Sequence, residues 1–332
     1  MVNVALLLIS LGVILLSAEL FTNAVEWLGK MLKLSEGAVG SILAAVGTAL
    51  PETLIPIIAI VFGHSAAAQE IGIGAILGAP FMLGTLAMFV TGSAALALAF
   101  MGKRRTTMLV DDSLMKRDLT FFLIVYSGAI VASLLTRHTF KKIIALVLIL
   151  AYCVYVIRTI KDGDQLGETS IAPLILAKNR SYPRLRIVLL QLGLAIAGIL
   201  GGAEVFVHNM EKVAVSLGIA PFVLSVIVTP IATELPEKFN SIIWVSRGKD
   251  TLALGNITGA MVFQSSIIPA IGIALTPWVL TPAAFMSAVI ALASAGIILI
   301  YLVTKKRLRA YTLLVGGLFY SLFIALVLKA HY

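Results

Sequence analysis

Apolar runs long enough to cross a bilayer recur from one end of the chain to the other, and they constrain the fold more than any other feature. About 20 apolar residues span the ~30 Å of hydrocarbon in a membrane. Ten runs can be marked, at 2–26, 37–62, 70–100, 119–136, 141–160, 187–212, 219–246, 251–275, 280–303 and 309–329. Every backbone polar group in hydrocarbon needs an internal partner, so such runs are expected to be helices. Composition agrees: the 332 residues are 60% hydrophobic and 12% charged, with a mean hydropathy of +1.06. No hydrophilic stretch is long enough for a separate soluble domain. The first run begins at Val2 without a basic leader, so it is expected to remain as a spanning helix and not to be cleaved as a signal. Cys153 is the lone cysteine, which leaves no disulfide framework and no cysteine-based metal site.

The net charge of +9 is distributed by side of the membrane, so it does not point to nucleic acid. With ten spans, one set of alternate loops carries 19 Lys and Arg residues and the other carries 5, Arg137, Lys141, Lys142, Lys212 and Lys329. The basic side is expected to be cytoplasmic, with both termini outside the cell membrane.

The chain also repeats itself. "VGTALPETLIPII" at 46–58 aligns with "IATELPEKFNSII" at 231–243, an offset of 185. Thr48 matches Thr233, Pro51 matches Pro236, and Glu52 matches Glu237. "SAELF" at 17–21 matches "GAEVF" at 202–206 at the same offset, pairing Glu19 with Glu204. "GAILGA" at 74–79 matches "GNITGA" at 255–260 at an offset of 181. The first copy lies in span 2 and the second in span 7, which run in opposite directions. The expected fold is therefore an all-α membrane protein of ten transmembrane helices arranged as two inverted five-helix repeats. They occupy 1–161 and 186–332, joined by a polar cytoplasmic connector at 162–185. Inverted repeats with interrupted helices near the midplane mark secondary transporters.

Each L-P-E block carries the same chemistry. Proline removes one helical hydrogen bond, so interruptions are expected at Pro51 and Pro236. A glutamate follows each proline, and a carboxylate at membrane depth is costly and usually functional. Thr48 and Glu52 are four apart and share a helix face, as do Thr233 and Glu237. Hydroxyls, carbonyls and carboxylates are hard oxygen ligands, suited to Ca²⁺ and Na⁺. The bland alternative is a pair of ordinary kinks. Glu234 has no carboxylate counterpart, since Ala49 occupies its place in the first copy. It is either an ion ligand or proton carrier, or the i,i+4 partner of Lys238. The glycine blocks read first as close-packing patterns that let spans 3 and 8 approach spans 2 and 7. Asn256 and Gln264 are two turns apart and can face the same site. Glu19 and Glu204 read either as second-site or gating carboxylates or, the favoured reading, as partners of polar neighbours at a helix end, and His208 as an interfacial residue.

These motifs resemble the Ca²⁺/cation antiporter superfamily, which includes sodium/calcium and H⁺/Ca²⁺ exchangers. The likeness is carried by "GTALPE", "ATELPE" and "KDTLALGNITGA", in characteristic repeats around 40–85 and 225–270. It implies an ion site formed by spans 2, 3, 7 and 8, with Ca²⁺ bound by Glu52 and Glu237 and assisted by Thr48 and Thr233. The sequence departs from the family pattern in two places. Ala49 and Glu234 stand where serine is common. Gly78–Leu83 and Gly259–Gln264 stand where G-S-N-x-x-N/D is common. The implied site is asymmetric, with an added carboxylate. The resulting expectation is a Ca²⁺ antiporter driven by Na⁺ or, alternatively, H⁺, acting as a monomer in the lipid bilayer without a cofactor. A cation channel is the weaker reading, because channels gather around an oligomer axis. No H-E-x-x-H and no convincing nucleophile–base pair supports an enzyme.

Overall fold

The computed structural model of the chain describes residues 2–31, 50–63, 65–162, 172–178 and 182–331. Within helices it describes the backbone alone at 50–51, 160–162, 235–240 and 330–331. Among the described residues, ten helices carry the fold: α1 Val2–Met31, α2 Leu50–Val61, α3 Ala66–Phe100, α4 Asp112–Leu134, α5 His138–Asp162, α6 Leu185–Leu217, α7 Pro221–Ser246, α8 Asp250–Leu275, α9 Pro282–Lys305 and α10 Val315–His331. Among the described residues, eight apolar stretches are long enough to cross a membrane; the one at α10 includes the short helical turn Ala310–Leu314 before it. The apolar parts found at α2 and α7 are shorter, Glu52–Val61 and Pro221–Glu234. The chain is thus a multi-pass membrane protein.

Helix ends follow local chemistry. Ser65 caps α3 by accepting from Ala68 N at 2.9 Å, and Asp111 caps α4 through Ser113 N and Leu114 N. Gly218 ends α6 at φ 65°, where a side chain would be strained. A two-residue antiparallel pair, Thr107↔Arg309 and Met108↔Leu308, ties the loop before α4 to the one before α10.

The helices sort into two packed groups. The larger core draws on α3, α4, α5, α7, α8, α9 and α10, around Phe81, Phe122, Tyr126, Met261 and Phe323. A second cluster lies where α1 and α6 meet α2 and α3, with Leu7, Ile14, Phe206 and Met210 against Ile55, Ile58 and Ile71. Lys141 was expected in a loop, yet it is only 3% exposed. Its ammonium donates to Pro277 O at 2.6 Å and Trp278 O at 3.3 Å. It thereby satisfies carbonyls in a turn where Trp278 is buried at φ 46°.

Two further findings correct the expected helix geometry. α7 is helical without a break from 221 to 246, straight through Pro230 and Pro236. A proline costs the helix one donor but keeps a helical φ, and packing from neighbours holds the course. α3 widens into a π-helical turn at Leu83–Ala87, and Ser294 of α9 donates to Gly84 O there at 2.7 Å.

α3 and α7 cross closely. A Cβ on Gly74 would sit 2.8 Å from Phe222 O, and one on Gly78 would sit 2.6 Å from Val226 O. Pro230 has no N–H to give to Val226 O, so the glycine lets α3 pack against a carbonyl without a helical donor. The reading of span 3 as a close-packed helix therefore holds at Gly74 and Gly78. For Gly259 of α8 nothing described lies within 4 Å. Gly78→Val should overpack the crossing and destabilise the fold by about 1–3 kcal/mol. A lower melting temperature in detergent is expected, whereas Gly193→Val, with open space around it, should melt like the parent.

Candidate ion site

Glu234, on α7, is 1% exposed, and Gln264, on α8, is 3% exposed. The Gln264 amide donates to Glu234 Oε1, a bond between residues thirty apart in sequence. Gln264 Oε1 is buried and accepts no hydrogen bond among the described residues. An amide oxygen left over in this way is a ready ligand for a hard cation. Glu52 is 6% exposed on α2, and α2 packs against both α7 and α8. Two carboxylates and an amide are thus buried on three helices that meet.

α7 also carries a row of buried hydroxyls. Thr233 is buried and donates to Thr229 O at 3.1 Å. Thr229 and Ser225 share a bond of 3.1 Å, and Ser225 donates across the crossing to Ile71 O at 2.7 Å. Ser225, Thr229, Thr233 and Glu237 recur every four residues, which lines one side of a helix. α3 offers backbone and glycine here, and α7 offers the hydroxyls. That division fits the apolar side chains at Ala79–Leu83.

Other expected site residues divide as follows. Asn256 is half-buried on α8, one turn before Ala260 and two before Gln264. Glu237 lies on α7, and Lys238 follows it, with the side chains of both outside the described residues. Thr48 lies outside the described residues altogether. Glu19 and Glu204 are exposed, unlike the buried Glu52, Glu234 and Gln264. Glu204 lines a cavity of about 530 Å³ with His208, Glu211, Phe62 and Ser65.

Two ionic groups went unremarked in the sequence. Asp118 is 2% exposed on α4 and accepts from Tyr155 Oη at 2.7 Å, Thr258 Oγ1 at 2.8 Å and Arg117 Nε at 3.2 Å. It joins α4, α5 and α8. The expected span began at 119, which left Asp118 among loop residues. Asp250, 1% exposed at the start of α8, takes both arms of Arg104 at 2.9 and 2.6 Å and the Leu109 N–H at 2.8 Å. Arg104 also donates to Val245 O at the end of α7, 3.0 Å away. One guanidinium therefore clamps both helices that carry Glu234 and Gln264. The signal for it was a lone acid, Asp250, at the head of the quoted "KDTLALGNITGA".

The model of the family described as sodium/calcium exchanger protein matches residues 2–161 and 187–330. The chain belongs to that family. Among curated relatives of this exchanger, the inner membrane protein YrbG of Escherichia coli (strain K12) is 23% identical over 85% of this chain and 82% of its own. A putative antiporter, CaxA of Alkalimonas amylolytica, is 34% identical over 97 residues, 29% of this chain and 30% of its own. Among solved structures, the H⁺/Ca²⁺ exchanger CAX superposes with a TM-score of 0.72 at 18% identity, covering 99% of this chain and 88% of that one. The sodium-calcium exchanger NCX_Mj gives 0.55 at 21% identity, covering 97% and 96%. At these identities the structural likeness is one of fold.

Removing one member of a buried ion pair strands the other charge, at roughly 3–5 kcal/mol. Arg104→Ala should therefore lower the thermal stability of this exchanger sharply. Arg309→Ala, which loses only a contact at an exposed tyrosine, should leave it nearly unchanged. Thermal unfolding of both variants in the same detergent checks this.

Proposed function

We propose that this exchanger is a secondary antiporter that extrudes Ca²⁺ in return for Na⁺ by alternating access. The observation that carries the reading is the buried Glu234–Gln264 pair on α7 and α8, with a second buried carboxylate, Glu52, on α2, which packs against both helices. Acidic groups at membrane depth are retained mainly where an ion or proton passes. Glu52 and Glu237 chelate Ca²⁺ between them, with oxygens from Thr48, Thr233, Asn256 and Gln264 completing the shell. Carboxylates that hold Ca²⁺ cannot at the same time hold the counter-ions, because the oxygens are shared. That competition couples the two fluxes.

The architecture behind this reading is ten spans in two inverted halves, 1–161 and 186–332, with 162–185 as a cytoplasmic connector and both termini outside. Two separate matches to the family model, one in each half, support it. The protein works as a monomer in the cell membrane, and α1 and α6 move against the other helices to alternate access. H⁺ in place of Na⁺ is the second reading. The extra carboxylate Glu234 favours it, as does the likeness to a solved H⁺/Ca²⁺ exchanger.

Purified protein in proteoliposomes tests both readings. Ca²⁺ uptake driven by an imposed Na⁺ gradient is expected to exceed uptake driven by an imposed pH gradient, and the reverse result selects H⁺. Glu52→Gln and Glu237→Gln are each expected to abolish ⁴⁵Ca²⁺ flux while the protein still folds. Normal flux in either variant removes these glutamates from the mechanism.

A further inference from the structure

The basic residues at the start of α5 have no acid to answer them. Arg137, His138 and Lys142 are exposed there, while Lys141 is buried and spends its donors on Pro277 O and Trp278 O, just past the end of α8. α5 packs on α4 and α8. The acids of these three helices all lie at the opposite end: Asp112 and Asp118 near the start of α4, Asp162 at the end of α5, and Asp250 at the start of α8. Between Asp118 and Asp162 the sequence has no Asp or Glu, and it has none after Asp250. A helix rises 1.5 Å per residue, which puts Asp162 about 36 Å from His138. Among the described residues, Arg137, His138 and Lys142 form no ion pair.

This charge sits at the head of a strip of exposed apolar side chains. A cavity of about 330 Å³ is lined by His138, Thr139, Lys142, Ile143 and Leu146. Further along α5, Leu150, Val154 and Ile157 are also exposed. Ile143, Leu146, Leu150, Val154 and Ile157 follow one another at three or four residues, the spacing of a single helix face. The strip from 143 to 157 is about 21 Å long. One leaflet of a bilayer is about half of the ~30 Å hydrocarbon core, so the strip is long enough to take acyl chains.

A lipid with an anionic headgroup satisfies both halves of this surface. A neutral headgroup leaves the bases uncompensated, and a free phosphate leaves the apolar strip unused. The cavity on α6 has the opposite sign, since Glu204 and Glu211 line it. Lys212 is exposed nearby, yet it lines an adjoining cavity together with Glu211, so its charge has a carboxylate beside it.

We propose that the start of α5 is a binding site for an anionic phospholipid. Arg137, His138 and Lys142 hold the phosphodiester, and the acyl chains lie along Ile143, Leu146 and Leu150. The site is separate from the buried ion site and does not depend on which cations are exchanged.

Native mass spectrometry of the delipidated full chain in detergent tests this, with dioleoyl phosphatidylglycerol and dioleoyl phosphatidylcholine as probes. The first phosphatidylglycerol is expected to bind more tightly than the first phosphatidylcholine. A base near an anionic lipid surface is worth roughly fivefold in affinity. Arg137→Gln with Lys142→Gln should therefore weaken phosphatidylglycerol binding by about 25-fold and leave phosphatidylcholine binding unchanged. Lys212→Gln should change neither. Equal binding of the two lipids by the parent, or an undiminished preference in the double variant, overturns the proposal. So does displacement of the lipid by millimolar inorganic phosphate, which assigns the bases to a free anion. A doubled mass that is lost in the double variant gives the face to a second copy of the chain and overturns the proposal as well. If the double variant does not fold, the parent alone decides. Phosphatidylglycerol with a diazirine in its acyl chain is expected to label the segment 143–157, and labelling confined to other segments refutes the site.

Discussion

A carboxylate placed in hydrocarbon must find a partner, and the rest of this structure is arranged around that requirement. Moving a bare charge out of water costs far more than any single apolar contact returns. Glu234 meets it with the Gln264 amide on the next helix. Asp118 meets it with a tyrosine, a threonine and an arginine from three helices, and Asp250 with a bidentate arginine. The last two are saturated with donors and act as fasteners. The Glu234 group differs, because Gln264 still offers an oxygen. That difference separates a structural acid from a candidate ion ligand.

The same contrast divides the molecule mechanically. Among the described residues, polar ties join α1 to α6 at Asn23 and Gln191, while one side-chain hydrogen bond, from Ser65 to Glu211, joins α6 to the start of α3. The close crossing of α3 and α7 over Gly74 and Gly78 ties two members of the larger helix group. So does the Arg104 clamp, which holds the ends of α7 and α8 together.

The helical architecture was legible in the sequence because apolar length alone forces helices in a membrane. The L-P-E repeat pointed to Glu52 and to α7 for the same reason, since polar residues in such runs are conspicuous. What stayed hidden depended on contacts between distant residues. Gln264 reaches Glu234 from another helix, which no local spacing reveals, while the side chain of Lys238 lies outside the described residues. Asp118 and Lys141 sat at the margins of apolar runs and read as loop residues, while folding buries both. Nothing in the polar connector announced that 172–177 docks on α1 and α6, because its bonds to them use mainly its own backbone groups. Pro236 misled in the other direction: it predicts an interruption, and α7 continues.

A buried site that takes ions alternately from the two sides of a membrane leaves a signature in exchange kinetics. The most direct measurement is tracer exchange at zero net gradient. Proteoliposomes loaded with unlabelled Ca²⁺, or left without it, are exposed to ⁴⁵Ca²⁺ in the absence of Na⁺ and pH gradients. Alternating access predicts that Ca²⁺ inside accelerates tracer entry, since a loaded site returns faster than an empty one. Equal tracer entry with and without internal Ca²⁺ would contradict the account.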